Sequence, residues 1–170
     1  VVGNAAVNPY YGSNLDITDS ALDKILKVNI GSNLWLAQMT FPEMQKRKDG
    51  VFIIVSSIGG LRASTVIGAY CISKAADMQL ARNLAVEWGP QNVRANCIAP
   101  IARTRLTLQT PGMEDAMQNP LFDPENVSPL VAALARVGAF VATYRDPAFL
   151  ASIDGPGPRH LDDDFEMVQD

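Results

Sequence analysis

The chain has 170 residues, of which 48% are hydrophobic and 19% charged, and its formal net charge is -4. This composition is typical of one globular domain and excludes disorder along the whole chain. The acidic balance argues against nucleic acid as a main partner, because phosphate binding needs clustered lysines and arginines. We find no apolar run of the roughly 18 residues that a bilayer requires, and we therefore expect no membrane partner.

The counts of cysteine and histidine argue against further classes of protein. Cys71 and Cys97 are too few for a disulfide framework, which favours a reduced, cytoplasmic location. The one histidine, His160, lies in a polar stretch, so a Ser-His-Asp hydrolase would depend on that residue alone. Zinc sites are equally hard to assemble, and we predict no metal. An acid–base group in this chain is therefore expected to be something other than histidine.

Helices and strands alternate along the first two thirds of the chain. The predicted elements are a strand ending at Val2, a helix over 20–44 capped by Thr18 or Asp19, a strand over 51–55, a helix over 69–88 and a strand over 92–99. We place a turn at Gly3 and Asn4. The β-branched run at 51–55 is typical of a strand buried on both faces of a parallel sheet. The order indicates an α/β fold with right-handed crossovers.

The regular alternation of predicted helices and strands ends after Pro100. Residues 101–123 are predicted to form a long loop with a short helix. Ser128 and Pro129 read as the N-cap and first turn of a third helix that continues to about Ala142. Residues 143–170 include a Gly-Pro-Gly-Pro stretch and an aspartate run, and we expect them to form a flexible tail. We accordingly divide the chain into 1–142 and 143–170.

Tyr70 and Lys74 are four residues apart at the start of a predicted helix, so their side chains share one face. A lysine ammonium beside a phenol favours the phenolate, and we expect it to lower the pKa of Tyr70. Such a tyrosine can exchange a proton with an alcohol or a carbonyl. Taken alone, this spacing more often marks an exposed contact without function.

Two further polar residues support a chemical interpretation. Ser57 follows the strand over 51–55, at the edge where parallel sheets bind ligands, although a serine there can also simply cap a loop. Asn29 lies on the apolar face of a helix, where its amide must find a partner. That partner is either a neighbouring carbonyl or an ordered water in a proton path. The small residues 3–6 would let a flat ligand approach the backbone closely.

Together these features resemble the short-chain dehydrogenase/reductase family. The resemblance runs from Val1 to about Leu134 and rests on the segments 3–6, 28–30, 54–57, 70–75 and 93–100. The first half is similar to carbonyl- and retinol-type reductases, and the stretch after Ala99 is closer to bacterial members. The resemblance implies a Rossmann-like, doubly wound parallel sheet. The family's N-terminal strands and glycine-rich turn have no counterpart here, so we expect the chain to be a fragment.

The resemblance also implies roles for the site residues. Tyr70 would be the general acid/base, and Lys74 would lower its pKa and hold the ribose hydroxyls of a nicotinamide cofactor. Ser57 would orient the substrate carbonyl, and Asn29 would complete a proton relay through water. On the cofactor side, Asn4 would line the adenosine cleft, while Pro100, Ile101 and Thr104 would face the nicotinamide carboxamide. Ile101 departs from the glycine that family members usually carry after this proline.

The activity that the resemblance implies is hydride transfer between NAD(P)H and a carbonyl or secondary alcohol. The residues that would distinguish NAD from NADP lie outside the matching segments. The expected partners are a small-molecule substrate and further copies of the same chain in a homo-oligomer. An alternative is a non-catalytic interaction module, or a pseudoenzyme, that assembles through its long helices at 20–44 and 69–88.

Overall fold

A computed structural model of the chain describes residues 1–136, with the backbone alone for residue 116. Its helices and strands are β1 (Val2–Gly3), α1 (Asp19–Leu26), α2 (Ser32–Arg47), β2 (Gly50–Val55), α3 (Gly68–Trp88), β3 (Val93–Ile98), α4 (Arg105–Leu108) and α5 (Ser128–Arg136). Short 3₁₀ turns lie between several of them. The predicted tail, 143–170, and the predicted end of the third helix fall outside the described residues.

The three strands form one parallel sheet in the order β1-β2-β3. Val2 pairs with Ile53, and Phe52 pairs with Ala95, so β2 lies in the middle. Helices α1 and α2 connect β1 to β2, and α3 connects β2 to β3. This arrangement confirms the predicted α/β fold. Because all three strands run the same way, their carboxyl ends meet at one edge of the sheet.

The core forms around β2, as its continuous apolar run predicts. Phe52, Ile53 and Ile54 are almost completely buried. Trp88, at the end of α3, stacks on Phe41 of α2 with 4.5 Å between ring centroids and meets the ring of Phe52 edge-on at 5.8 Å. Aromatic contacts of this kind stabilise beyond the area they bury. They fasten both long helices to the central strand.

The helix predicted over 20–44 is one helical run, from Asp19 to Arg47, with a π-helical segment at Lys27–Gly31. The hydroxyl of Thr18 accepts a hydrogen bond from the backbone N–H of Ala21, which confirms Thr18 as the cap. Pro42 lies inside α2 and does not end it. A π-helical segment adds a residue to one turn and is frequent at functional sites. Here it contains Asn29.

Two local predictions were wrong. Gly3 belongs to β1, because it pairs with Ile54, and the chain leaves the strand only after it. Ser128 is not an N-cap: its backbone is already helical at φ −60° and ψ −41°, because the 3₁₀ turn Pro124–Val127 runs directly into α5. Within residues 1–136, no helix is long and apolar enough to cross a membrane.

Candidate active site

A cavity of approximately 530 Å³ lies where the carboxyl ends of the strands meet the start of α3. All the residues that the sequence singles out, except Asn29, line it: Asn4, Ser57, Tyr70, Lys74, Pro100, Ile101 and Thr104. They come from segments far apart in sequence, and the parallel sheet brings them together. The cavity therefore has the position at which open α/β sheets bind ligands.

Tyr70 lies in the first turn of α3, with the ammonium nitrogen of Lys74 5.8 Å from the centre of its ring. Burial raises the pKa of the Tyr70 phenol above its ordinary value, and Cys71 and Asp77 add smaller effects in the same direction. Hydrogen bonding with Ser57 acts in the opposite direction but is the weaker effect. The result is opposite to the lowered pKa that the Tyr70–Lys74 spacing predicts.

Burial of the phenol is the main reason for this difference, and the charge of Lys74 is engaged elsewhere. The side chain is buried, and Nζ donates hydrogen bonds to the backbone carbonyl of Val55 at 2.9 Å and to Oδ2 of Asp77 at 2.9 Å. An ammonium has three N–H donors, so within the described part of the chain one is left unused. Lys74 thus remains able to bind a ligand hydroxyl, but its nearest charge is a carboxylate rather than the phenol.

The sequence interpretation missed two residues behind Lys74. Asp77 is completely buried, and its Oδ1 accepts a hydrogen bond from Nδ2 of Asn33 at 2.9 Å. Burial raises the pKa of Asp77, whereas Lys74 and Asn33 lower it. Asp77 follows Lys74 by three residues, a spacing that places both side chains on one helix face and that the sequence already contained. Asn33 carried no such signal, because it lies on another helix.

Asn29 is completely buried and lies outside the cavity lining. Its Oδ1 accepts a hydrogen bond from the backbone N–H of Val7 at 2.8 Å, while its Nδ2 donates to the carbonyl of Val7 at 3.1 Å and to Oγ of Ser73 at 2.9 Å. Of the two roles that the sequence left open, the structure shows the bond to a neighbouring carbonyl. Asn29 fastens the loop after β1 to α3.

The turn after β2 positions Ser57 against α3. The hydroxyl of Ser57 accepts a hydrogen bond from the N–H of Gly59 at 3.1 Å, and so caps the 3₁₀ turn Ile58–Gly60. The hydroxyl of Ser56 donates to the carbonyl of Lys74 at 2.6 Å. A Cβ on Gly60 would lie 2.8 Å from the carbonyl carbon of Lys74, so a glycine permits this close approach.

The segment after β3 closes the other side of the cavity. The carbonyl of Pro100 accepts a hydrogen bond from the N–H of Ile58 at 3.1 Å, which joins the ends of β2 and β3. The hydroxyl of Thr104 caps α4 by accepting from the N–H of Thr107 at 3.3 Å. Arg103 forms an ion pair with Asp123. These contacts hold Ile101 and Thr104 at the cavity wall.

The parallel sheet, with a tyrosine, a lysine and a serine gathered at its carboxyl edge, defines a Rossmann-type α/β protein with a ligand cavity. The family model described as short chain dehydrogenase matches residues 1–111, and the chain belongs to this family. This confirms the resemblance drawn from the sequence.

Individual relatives support the same family assignment. The dehydrogenase/reductase SDR family member 4 of Sus scrofa is 45% identical over 100 residues, which cover 59% of this chain and 36% of the relative. A 7α-hydroxysteroid dehydrogenase, solved with NADH and 7-oxo glycochenodeoxycholic acid, superposes with a TM-score of 0.69 at 28% identity, covering 79% of this chain and 55% of that one. A structure described as ElxO with NADP bound gives 0.60 at 27% identity, covering 70% and 47%. The chain thus spans little more than a third of that curated relative's length.

Proposed function

We propose that this chain carries the catalytic residues of an NAD(P)-dependent oxidoreductase that interconverts a carbonyl compound and a secondary alcohol. The observation that supports this most directly is the meeting of Ser57, Tyr70 and Lys74 in one cavity at the carboxyl edge of the sheet. Membership of the short chain dehydrogenase family supports the same activity. The similar structures that hold NADH and NADP support the class of cofactor without favouring one of the two.

The cavity residues fit the nicotinamide end of such a cofactor. Lys74 has an N–H for a ribose hydroxyl, since the residues that the structure describes engage two of its three donors. Asn8 is buried and lines the cavity, and its amide oxygen has no hydrogen-bond partner among residues 1–136. A buried acceptor of this kind is costly unless a ligand donor satisfies it, and a carboxamide N–H would do so.

The bound nicotinamide would supply or accept a hydride at the substrate carbon. In reduction, the Tyr70 hydroxyl donates its proton to the substrate oxygen, and Ser57 donates a hydrogen bond to the same oxygen. Hydride at carbon and proton at oxygen together turn the carbonyl into an alcohol and leave the nicotinamide oxidised. In oxidation, Tyr70 takes the proton back and must therefore be ionised beforehand.

The charges of the cavity wall favour a substrate with an anionic group. Arg62, Lys74 and Arg105 line the cavity, and no aspartate or glutamate is among its lining residues in the described part of the chain. Asp77 balances Lys74 from behind, whereas Arg62 and Arg105 form no ion pair with a described residue. Guanidinium groups bind carboxylates through paired, charge-assisted hydrogen bonds. A carbonyl compound that also carries a carboxylate would satisfy them.

This substrate class is tested with a pair of probes, a 2-oxo acid and its methyl ester. Arg62→Ala is expected to raise KM for the acid about tenfold, the loss of one charge-assisted hydrogen bond, and to leave KM for the ester within about twofold. An equal change for both probes would contradict the assignment. The ester is the control, because it keeps the 2-oxo group and lacks the negative charge, with one methyl group added.

The oxidoreductase activity is tested by NADH and NADPH binding to the purified chain, followed by carbonyl reduction. Tyr70→Phe removes one hydroxyl and is expected to lower turnover by about 10²–10⁴-fold with cofactor affinity nearly unchanged. A folded chain that binds neither cofactor would contradict the proposal, and so would a Tyr70→Phe variant with the parent's turnover. Circular dichroism of both proteins establishes that they are folded.

The second candidate function is assembly through the long helices. Leu34, Trp35 and Met39 of α2 and Ile72 and Val86 of α3 are large apolar side chains that remain exposed in this chain, with Met39 67% and Val86 78% exposed. Patches of this kind favour contact with another protein surface. Stable association of a chain that binds neither nicotinamide cofactor would support this function over catalysis.

A further inference from the structure

Two arginines of the segment after β3, Arg103 and Arg105, point in different directions. Arg105 is exposed and lines the cavity. In the described part of the chain Arg103 is not among the lining residues, although its neighbours Ala102 and Thr104 are. The backbone at Thr104 is extended, with φ −110° and ψ 167°. Successive side chains of an extended chain point to opposite sides, so Arg103 faces away from the cavity.

Asp123 holds Arg103 in that position. The Arg103 guanidinium forms an ion pair with Oδ1 of Asp123, and the backbone N–H of Arg103 donates a hydrogen bond to the carbonyl of Phe122 at 2.5 Å. The side chain and the backbone of Arg103 are thus bound by two neighbouring residues. Both charged side chains are 38% exposed, so the pair lies at the surface beside the cavity wall rather than in the core.

The turn that carries Asp123 is itself well fixed. The backbone N–H of Asp123 donates to the carbonyl of Pro120 at 3.1 Å, and the side-chain amide of Asn126 donates to the same carbonyl at 3.0 Å. Pro120 and Pro124 restrict the backbone on both sides of the carboxylate. Asp123 therefore presents its carboxylate from a rigid base, and Arg103 is the group that it orients.

The two arginines differ in what they offer to an anion. A guanidinium in an ion pair has its charge and part of its donor fork engaged, whereas an unpaired one can bind a carboxylate through paired hydrogen bonds. Arg103 is paired, and Arg105 forms no ion pair with a described residue. Without Asp123, a second guanidinium on a long, flexible side chain would compete with Arg105 for the same anion.

We propose that Asp123 is a positioning residue that holds Arg103 outside the cavity, so that Arg105 is the arginine of this segment that receives the anionic group of a ligand. The inference rests on the proposed function, since it names the residue that fixes the place of the anion in the substrate class proposed there. A carboxylate bound in one place sets where the carbonyl of the same molecule lies relative to Ser57 and Tyr70. Asp123 acts on this orientation through Arg103 and does not touch the ligand.

The roles of the two arginines are measured by NMR of the guanidinium Nε–H signals in the ¹⁵N-labelled chain, without cofactor and without turnover. Arg103→Lys and Arg105→Lys identify the two signals by their loss. The probe is pyruvate, a 2-oxo acid, and methyl pyruvate is the uncharged control. In the parent, pyruvate is expected to shift the Arg105 signal and to leave the Arg103 signal in place, and methyl pyruvate should shift neither.

The decisive variant is Asp123→Asn, which removes the charge and keeps the size of the side chain. Because an exposed ion pair adds little to stability, the variant is expected to fold, and the backbone amide of Arg103 should exchange about threefold faster. Pyruvate should now shift the Arg103 signal as well. Asp123→Glu restores the charge and should return the Arg103 signal to its behaviour in the parent. Asp115→Asn removes the same charge from an exposed position in the same stretch of chain and is the matched control.

An Arg103 signal that pyruvate still does not shift in Asp123→Asn would overturn the proposal. A parent in which pyruvate shifts Arg103 as far as Arg105, or shifts neither, would also overturn it, and this result decides if Asp123→Asn does not fold. The proposed oxidoreductase activity fails separately, because cofactor binding and the turnover of Tyr70→Phe test it. A chain without turnover whose Arg105 responds to pyruvate, with Arg103 joining only in Asp123→Asn, supports the role of Asp123.

Discussion

Asn29 offers the sharpest test of how the site is held together. Truncation in Asn29→Ala removes the hydrogen bonds at 2.8 Å and 3.1 Å that join its amide to the backbone of Val7, and the bond at 2.9 Å to Ser73. Water cannot easily replace them, because Asn29 is completely buried. The loop after β1 would lose its attachment to the helices beside the cavity.

The size of the destabilisation in Asn29→Ala follows from the groups left without hydrogen-bond partners. The N–H and the carbonyl of Val7 each lose a bond in a partly buried place, at about 1–3 kcal/mol per unsatisfied group. The free energy of unfolding is therefore expected to fall by about 3 kcal/mol. For a chain of this length such a loss lowers Tm by roughly 6–12 °C.

Two measurements check this prediction. Thermal unfolding followed by the fluorescence of Trp35 and Trp88 gives Tm for the parent and the variant. Hydrogen exchange of the Val7 amide is the local readout, because its acceptor is the Asn29 side chain, and its rate is expected to rise at least about tenfold. Asn83→Ala is the matched control: Asn83 is exposed on α3, so its truncation should cost less than about 0.5 kcal/mol.

A destabilisation of less than about 1 kcal/mol, or an unchanged exchange rate at Val7, would refute the structural role of the Asn29 amide. The alternative raised from the sequence, an amide that holds an ordered water in a proton path, would then be preferred. That role predicts lost turnover with little change in Tm.

Three further predictions concern the core, the turn after β2 and the thiol of β3. Ile54→Asp places a carboxylate without a partner at a completely buried position, at a cost above about 4 kcal/mol, so no folded protein should be recovered. The control Ile54→Val should lose about 1 kcal/mol of stability, and equal recovery of Ile54→Asp and the parent would disprove the buried strand. Gly60→Ala sets a methyl group 2.8 Å from the backbone of Lys74, so it should lower Tm and also shift the titration of Tyr70, followed by NMR with ¹³C at Cζ of tyrosine. If Tm and the titration both stay as in the parent, the close contact is contradicted. Burial raises the pKa of the Cys97 thiol to about 11, against about 8.5–9 in the unfolded chain, so the unfolded state releases this proton first and the free energy of unfolding should fall by about 2 kcal/mol between pH 9 and 11. Urea unfolding of the parent and of Cys97→Ala checks it, and the same alkaline slope in both proteins would show that another group is responsible.

Much of the fold could be predicted from local patterns. The apolar run at 51–55 predicted β2 to within a residue, and the helix expected over 69–88 is α3 at Gly68–Trp88. Both signals are short-range, since side-chain periodicity shows which face of an element is buried. The pairing of Tyr70 and Lys74 could be predicted for the same reason: four residues on a helix bring two side chains to one face.

The partners of these residues were decided by packing between distant segments. Asn29 is satisfied by Val7, 22 residues earlier, and Asp77 is bound by Asn33, 44 residues earlier. No periodicity predicts which amide of one helix will meet which carboxylate of another. Similarly, the π-helical segment at Lys27–Gly31 lies inside a helical pattern that gave no sign of it.

The sequence by itself determined the order of helices and strands, the family, and the residues that meet at the sheet edge. Only the tertiary structure decided the direction in which the pKa of Tyr70 is shifted. The spacing of Tyr70 and Lys74 alone predicts a lowered pKa for the phenol, whereas burial in the folded chain raises it. The physical reason is that ionisation depends on solvent access and on every charge nearby, and both are properties of the packed chain rather than of neighbours in sequence.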